Sequence, residues 1–210
     1  AAGRIRSLGP LAGPLRAPSA RSCVAPLPWI LVFFPWVGAV VLALVPPRLG
    51  LGRFINIGIA AGSLGIALVL LGHPHGEQGW TRTDALNLPF VAVSALVGLT
   101  TAIFSASTLD AERLDHLRMR AYHAAFQIFM GAQFLALVSD NLGVMWVAIE
   151  IATLASVLMV GIHGTPAAVE AAWKFFILCG VGIALALFGT ILLYLAAQPV
   201  VGSGDPGLSW

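Results

Sequence analysis

The chain has 210 residues, of which 59% are hydrophobic and only 10% are charged. Soluble domains carry about 25% charged residues, so this composition excludes an ordinary soluble globular protein. The formal net charge of +2 is too small to indicate a nucleic-acid partner. The two cysteines, Cys23 and Cys179, are far apart and belong to no CxxC or Cys/His cluster, so neither a disulfide framework nor a metal site is predicted.

The first 26 residues form a basic segment that carries four arginines and no acidic residue, and it is rich in Pro, Gly, Ala and Ser. This composition predicts a disordered segment over residues 1–26. No compact apolar stretch precedes Leu27, so a signal peptide is not predicted. Two other interpretations stay open, namely translated sequence upstream of the true start and a mitochondrial presequence.

Six later stretches are long and apolar enough to cross a bilayer, and none alternates with the period of two that is typical of barrel strands. The predicted fold class is therefore all-α, a polytopic transmembrane bundle of about six helices. The predicted spans are Leu27–Val45, Phe54–Leu71, Leu88–Ala106, Tyr122–Val138, Leu142–Ile162 and Phe175–Ala197.

The loops divide the chain after the basic segment into an N-terminal three-helix region (27–106), a cytoplasmic surface loop or helix (107–120), a second three-helix region (121–198) and an external tail (199–210). Basic loop residues such as Arg48 and Arg118 predict, by the positive-inside rule, that their loops lie in the cytoplasm.

In the second span, Gly58 and Gly62 have GxxxG spacing, which predicts close packing against a neighbouring helix.

Glu150 lies near the middle of the fifth span, where a carboxyl group costs roughly 3 kcal/mol on insertion scales. Such a group is retained when it is paired, hydrated or protonated for a purpose, so Glu150 is predicted to be a proton-relay residue. The structural alternative is a permanently protonated Glu150 that is hydrogen-bonded to a neighbour.

Lys174 is the only lysine of the chain and lies near the start of the sixth span. Thr165 is a plausible N-cap with Pro166 at the first helical position, so a helix beginning there places Lys174 within about 6 Å of the depth of Glu150. Lys174 is therefore predicted to be the partner of Glu150. In the alternative, Lys174 pairs with Glu170 one turn earlier or extends to the membrane interface.

The fourth span contains His123, Gln127 and Gln133, of which the first two share one helix face. His123 is near the cytoplasmic end, and histidine changes its charge near neutral pH, so it is a candidate third relay residue. Interhelical hydrogen bonding is the structural alternative for all three side chains.

The stretch around these residues closely resembles the antiporter-like subunits of complex I and their relatives. Both family spacings are present, since an acid follows Asp140-Asn141 and a lysine opens the next helix. We expect Asp140 itself to have a structural role. Ile149, where many complex I relatives carry Trp, favours the branch of hydrogenase-4 component F, from the membrane-bound group 4 nickel–iron hydrogenases. The resemblance is carried by Asp140-Asn141-Leu142, Met145-Trp146, Glu150, Thr153-Leu154-Ala155-Ser156, Ala171-Ala172-Trp173-Lys174-Phe175-Phe176 and Leu178–Ala184.

This resemblance implies a proton-translocating membrane subunit of a hydrogenase or complex I-like assembly in the bacterial inner membrane, with residues 121–198 as the start of its proton-channel unit. Glu150 and Lys174 match the family's first-channel acid and its lysine. No cofactor is expected in this chain; nickel–iron and iron–sulfur centres are expected in partner subunits. Membrane lipid and those subunits are the expected partners.

Three other functions stay open: a cation/proton antiporter subunit, the membrane partner of an inorganic-carbon transport complex, and an inactive truncated scaffold. Family members continue well beyond the end of this chain, so we expect it to be part of a longer protein.

Overall fold

The structure is a computed structural model that describes residues 26–44, 51–73, 76–78, 80–111, 115–201 and 208. Within them it contains six α-helices and one two-stranded hairpin. In chain order the elements are α1 (Leu27–Leu44), α2 (Leu51–Leu71), β1 (Gly76–Gln78), β2 (Thr81–Thr83), α3 (Asn87–Ala111), α4 (His116–Val138), α5 (Leu142–Val160) and α6 (Pro166–Val201).

All six helices are long and apolar enough to cross a membrane. The hydrocarbon core requires about 20 apolar residues, and the helix windows have mean hydropathies from 1.3 to 2.6. The predicted polytopic helix bundle is therefore confirmed. The largest difference from the predicted spans is in α6, whose 36 residues extend over about 54 Å at 1.5 Å per residue. Because this length exceeds the thickness of the hydrocarbon core, α6 tilts or projects beyond it.

The bundle is organised around α4, which packs against α1 on one side and α5 on the other. Helix α2 packs against α3 and α1, while α6 contacts α5. More than half of the apolar window of α4 is buried, whereas only 6% of that of α6 is. The core therefore lies among α1, α2, α3 and α4, and the helices that carry Glu150 and Lys174, α5 and α6, lie at the side of the bundle.

Two glycines allow α1 to approach its neighbours closely. A Cβ atom on Gly131 of α4 would lie 2.3 Å from Cδ1 of Trp36, and one on Gly62 of α2 would lie 2.8 Å from Cε1 of Phe34. Gly58, the other member of the GxxxG pair, has no atom within 4 Å of such a position. The α1–α2 contact thus involves Gly62, while Gly58 faces open space.

A short antiparallel hairpin of β1 and β2 lies between α2 and α3, with Glu77 opposite Arg82 in the register. The all-α expectation did not include it, because strands of three residues are too short to show an alternating pattern. A bridge between Thr81 and Ser139 connects β2 to the turn before α5. The hairpin therefore lies against the α4–α5 turn, on the side predicted to be external.

The connection between α3 and α4 differs from the predicted surface segment 107–120. Helix α3 continues to Ala111 and α4 already begins at His116, so most of that segment belongs to the ends of these two helices. Its mixed charges are compatible with helix ends that extend out of the apolar core. The predicted basic segment 1–26 lies outside the described residues except for Pro26.

The predicted tail 199–210 begins within α6, which extends to Val201. Beyond that helix the structure describes only Leu208, whose backbone carbonyl accepts a hydrogen bond of 3.0 Å from the Leu142 N–H. This bond brings Leu208 to the first residue of α5.

Candidate proton-relay site

Helix α5 begins at a cap formed by Asn141. Its side-chain oxygen accepts from the N–H groups of Gly143 and Val144 at 2.9 and 3.2 Å. These are two of the N–H groups that a helix start leaves without an intrahelical partner, so Asn141 fixes where α5 begins. Because every residue advances a helix by about 1.5 Å, the same cap also sets the depth of Glu150.

Asp140 connects this cap to the hairpin. Its N–H donates to the Trp80 carbonyl at 2.8 Å, and its carboxylate lies 3.7 Å from Nη1 of Arg82. The Asn87 side chain, at the start of α3, donates to the carbonyls of Arg82 and Leu137 at 2.6 and 3.3 Å. The start of α5, the end of α4 and the hairpin are thus joined by polar contacts on one side of the bundle.

Glu150 is the ninth of the 19 residues of α5 and is half-buried. No side chain among the described residues forms a hydrogen bond or an ion pair with it. The two buried residues of α5, Ala148 and Ala155, are small. Since an acid at mid-membrane depth requires a proton, a partner or water, this carboxyl group is a functional candidate.

Lys174 lies on the neighbouring helix α6, which begins at Pro166 as predicted. The Thr165 hydroxyl accepts from the Ala168 N–H at 3.2 Å, the expected N-cap contact. The ammonium group of Lys174 donates to Oε1 of Glu170 at 2.5 Å, and both side chains are exposed. The structure thus shows the pairing that was the alternative to a Glu150 contact, while the relay role of Lys174 stays a prediction.

Helices α5 and α6 are joined by Trp146, whose indole N–H donates to the Ile183 carbonyl at 2.9 Å. Trp146 is one turn before Glu150 in α5. This bond fixes the relative position of the helix that carries the acid and the helix that carries the lysine.

His123 is only 2% exposed in α4, and its ring lies edge-on to that of Tyr122 at 5.8 Å between centroids. A Cβ atom on Gly52 of α2 would lie 3.8 Å from its ring. One turn further along both helices, Nε2 of Gln127 donates to Oδ1 of Asn56 at 2.7 Å. Sequence reasoning identified His123 and Gln127 but missed Asn56, whose one signal is a polar side chain within an apolar span.

The remaining amide in α4, Gln133, donates to the Ser94 hydroxyl of α3 at 3.2 Å. It lines a cleft of about 460 Å³ between α3, α4 and α5. His123, Gln127 and Gln133 therefore do not form one cluster, since the first two lie near α2 and the third lies near α3.

At the opposite end of α4, two arginines donate to backbone carbonyls at helix ends. Arg118 bonds to the carbonyl of His163 after α5, and Arg120 bonds to that of Ala43 in the last turn of α1. Cations are favourable near the carbonyl ends of helices. The start of α4, the end of α1 and the end of α5 thus lie on one side of the bundle, the side that the positive-inside rule predicts to be cytoplasmic.

Among the residues that the structure describes, no three His, Cys, Asp or Glu side chains come together to form a candidate metal site. Cys179 is a free, half-buried thiol within α6.

Comparison with sequence families supports this description. Residues 139–201 match the family described as NADH:quinone oxidoreductase/Mrp antiporter, TM. This match begins at the turn that caps α5 and ends with α6, so it contains both Glu150 and Lys174.

Two curated relatives extend the similarity over most of the chain. The hydrogenase-4 component F homolog of Methylacidiphilum infernorum is 39% identical over 183 residues, which cover 85% of this chain and 38% of the relative. NADH-quinone oxidoreductase subunit L of Mycobacterium tuberculosis is 27% identical over 190 residues, which cover 79% of this chain and 29% of the relative.

Solved structures share the fold. One is the membrane-bound sulfane sulfur reductase, an archaeal respiratory membrane complex, with a TM-score of 0.69, 18% identity and 82% of this chain covered. Another is respiratory complex I from Thermus thermophilus, with a TM-score of 0.66, 21% identity and 83% covered. The similar parts are 38% and 39% of those chains.

These findings confirm the resemblance seen in the sequence. The chain spans about two fifths of the length of the hydrogenase-4 relative that it matches. The chain is a multi-pass membrane protein, and it belongs to the antiporter-like membrane subunits of the hydrogenase-4 component F type.

Proposed function

We propose that this chain forms the first part of a proton-translocating subunit in a hydrogenase-4 or complex I-like redox complex. Electron transfer in partner subunits is coupled to proton movement through this chain. The observation that carries the proposal is the placement of one acid, Glu150, at the middle of α5 within the matched region 139–201. Lys174 follows in the next helix of the same region.

In this mechanism Glu150 takes up and releases the proton. An ammonium group close to a carboxylate stabilises the ionised form of that carboxylate. When the ammonium group moves away, the carboxyl group is left in a desolvated surrounding that favours its protonated form. Movement of Lys174 relative to Glu150 therefore changes the proton affinity of the acid. His123 connects the relay to the cytoplasmic side, since imidazole exchanges protons near neutral pH.

The mechanism requires two positions for the ammonium group of Lys174, one near Glu150 and one away from it. The pair with Glu170 is the position away from Glu150. Exposed ion pairs at i,i+4 spacing are weak, with typical energies of about 0.3–0.5 kcal/mol. Lys174 therefore leaves Glu170 at a small cost in free energy when a conformational change in the complex brings Glu150 close to it. The side chain of Lys174 thus alternates between two carboxyl groups, one on its own helix and one on α5.

The redox chemistry belongs to other subunits in this proposal. Nickel–iron and iron–sulfur centres lie in partner subunits, and this chain contributes proton transfer only. Membrane lipid surrounds the exposed faces that partner subunits leave uncovered, and the assembly lies in the bacterial inner membrane. Both curated relatives named above are from bacteria, which supports that location.

A cation/proton antiporter subunit is the second candidate function. It is favoured by one observation, the inclusion of the Mrp antiporter in the description of the matched family. The two functions differ in their energy source, because an antiporter exchanges ions in vesicles that lack an electron donor.

The test uses inverted membrane vesicles that contain the native complex with Glu150→Gln. We expect electron transfer from the donor to continue while proton uptake into the vesicles is lost. Asp84→Asn, a carboxyl group near the hairpin, is the matched control and should pump normally. Normal pumping by Glu150→Gln would overturn the relay, and donor-independent cation exchange by the unsubstituted vesicles would favour the antiporter.

A further inference from the structure

Two neighbouring amide side chains, Asn56 of α2 and Gln127 of α4, are fully buried at the contact between their helices. Gln127 uses its NH2 group twice, donating to the Asn56 side-chain oxygen at 2.7 Å and to its backbone carbonyl at 3.3 Å. These two bonds fix the orientation of the Gln127 amide, because exchanging its oxygen and nitrogen would bring acceptors together. The pair is not part of the Glu150–Lys174 relay.

The other end of each amide has no hydrogen-bond partner among the described residues. These atoms are Oε1 of Gln127, an acceptor, and Nδ2 of Asn56, a donor, and each is inaccessible to solvent. A buried polar atom without a partner costs about 1–3 kcal/mol, and the cost is greater still in an apolar surrounding. One unsatisfied donor beside one unsatisfied acceptor is the arrangement that a water molecule can satisfy, since water both accepts and donates.

The position of the pair gives this water a path. His123 and Gly52 are each four residues before Gln127 and Asn56 in their helices, and the ring of His123 lies beside Gly52. Residues four apart lie on one face of a helix, about one turn from each other. His123 and the two amides therefore follow one line between α2 and α4, and both helices begin on the side where Arg118 and Arg120 lie, which is predicted to be cytoplasmic.

The contact between α2 and α4 along this line is small. Helix α4 packs mainly against α1 and α5 and contacts α2 only locally. Gly52 adds no side chain beside His123, so a Cβ atom at that position would meet only the imidazole.

We propose that Asn56 and Gln127 bind ordered water inside the bundle and that, with His123, they form a proton inlet between α2 and α4. The amides do not titrate; they hold water in line, and the proton moves along that water from the imidazole towards the centre of the bundle. This inference rests on the proposed proton-translocating function and adds to it the route of entry.

The first test is direct observation of water in the unsubstituted complex by electron cryomicroscopy at a resolution that shows ordered solvent. We expect water within hydrogen-bonding distance of Gln127 Oε1 and Asn56 Nδ2. Density that shows these atoms dry, or bonded to protein groups of the complete assembly, would overturn the inference.

The second test is functional and uses Asn56→Leu with Gln127→Leu, which removes the water-binding atoms and keeps the volume filled. We expect proton uptake by native-membrane vesicles to be lost while electron transfer continues. The swapped pair, Asn56→Gln with Gln127→Asn, keeps both amides and should restore pumping. Gln133→Leu is the matched control, because it removes an interhelical amide bond of the same helix elsewhere.

The outcomes separate the inlet from the relay. If the double Leu variant pumps normally while Glu150→Gln does not, the inlet is overturned and the relay stands. If Gln133→Leu loses pumping to the same extent, or if the swapped pair fails to restore it, the amides act only in helix packing and the inlet is overturned. Normal pumping by Glu150→Gln would instead remove the function on which the inlet rests.

Discussion

The ammonium group of Lys174 lies 2.5 Å from the carboxylate of Glu170, one turn earlier in α6. This contact keeps the only lysine of the chain on its own helix. In the proposed mechanism the lysine has two alternative partners, and the strength of the contact with Glu170 decides how readily it leaves for the other one.

Replacement of Glu170 by Gln is expected to make the Lys174 amine more reactive. The variant removes the charge that holds the ammonium group, and a pair of this kind contributes about 0.5 kcal/mol, so acylation by a membrane-permeant succinimidyl ester should accelerate by about twofold. Mass spectrometry of the peptide that contains Lys174 measures the rate at this amine separately from every other amine that reacts. Asp84→Asn is the control, and an unchanged rate in Glu170→Gln would show that the pair does not restrain Lys174.

A side chain at Gly131 is expected to separate α1 from α4. The Cβ atom of Gly131→Ala would lie 2.3 Å from Cδ1 of Trp36 and 3.0 Å from the Val32 carbonyl. Overpacking of this kind typically costs about 1–3 kcal/mol, so we expect a lower Tm in detergent. Gly182→Ala in α6 is the matched control, because nothing lies within 4 Å of its Cβ position. Equal stabilities of the two variants would contradict the close α1–α4 contact.

Loss of the cap at the start of α5 is expected to loosen the first turn of that helix. Asn141→Ala removes the acceptor for Gly143 and Val144 and should cost about 1 kcal/mol. Hydrogen exchange at these two amides should become faster, as measured by mass spectrometry of the peptide that contains them. Asn141→Asp keeps the acceptor and should preserve protection; exchange that is the same in all three proteins would rule out the capping role.

Removal of the indole N–H of Trp146 is expected to weaken the contact between α5 and α6. Trp146→Phe loses the bond to the Ile183 carbonyl, and a bond of this type contributes about 1 kcal/mol. We expect a lower Tm and weaker proton pumping at unchanged electron transfer, since the helices of Glu150 and Lys174 become less well fixed. Trp173→Phe is the control, because that ring is 60% exposed. A larger effect at Trp173 than at Trp146 would contradict this assignment.

The cap at Thr165 and the helix that begins at Pro166 could be predicted from the sequence because they depend on local interactions. Capping and the preference of proline for a first turn act over three or four residues. The hydrogen-bonding partner of Lys174 was not determined in this way, since the sequence predicts similar membrane depths for Glu150 and Lys174 and also places Glu170 one turn before the lysine. The sequence offered the two alternatives, and the observed contact is with the near one.

The pairing of Asn56 with Gln127 could not be predicted, because it joins residues 71 positions apart on helices that are not consecutive. The hydropathy of the sequence identifies the membrane spans, but it does not show which spans contact each other. The same reason explains why the predicted GxxxG pair separates into Gly62 at the α1 contact and Gly58 in open space.

The sequence by itself determined the six membrane spans, the acid in the fifth and the lysine in the sixth, because the cost of exposing polar groups to lipid acts on each segment independently. Only the tertiary structure decided that α4 lies between α1 and α5 and that the amides of α2 and α4 meet in the interior. It also showed that the hairpin lies against the start of α5. Those relationships depend on how helices approach one another, which is set by side-chain shape and glycine position across the bundle rather than along the chain.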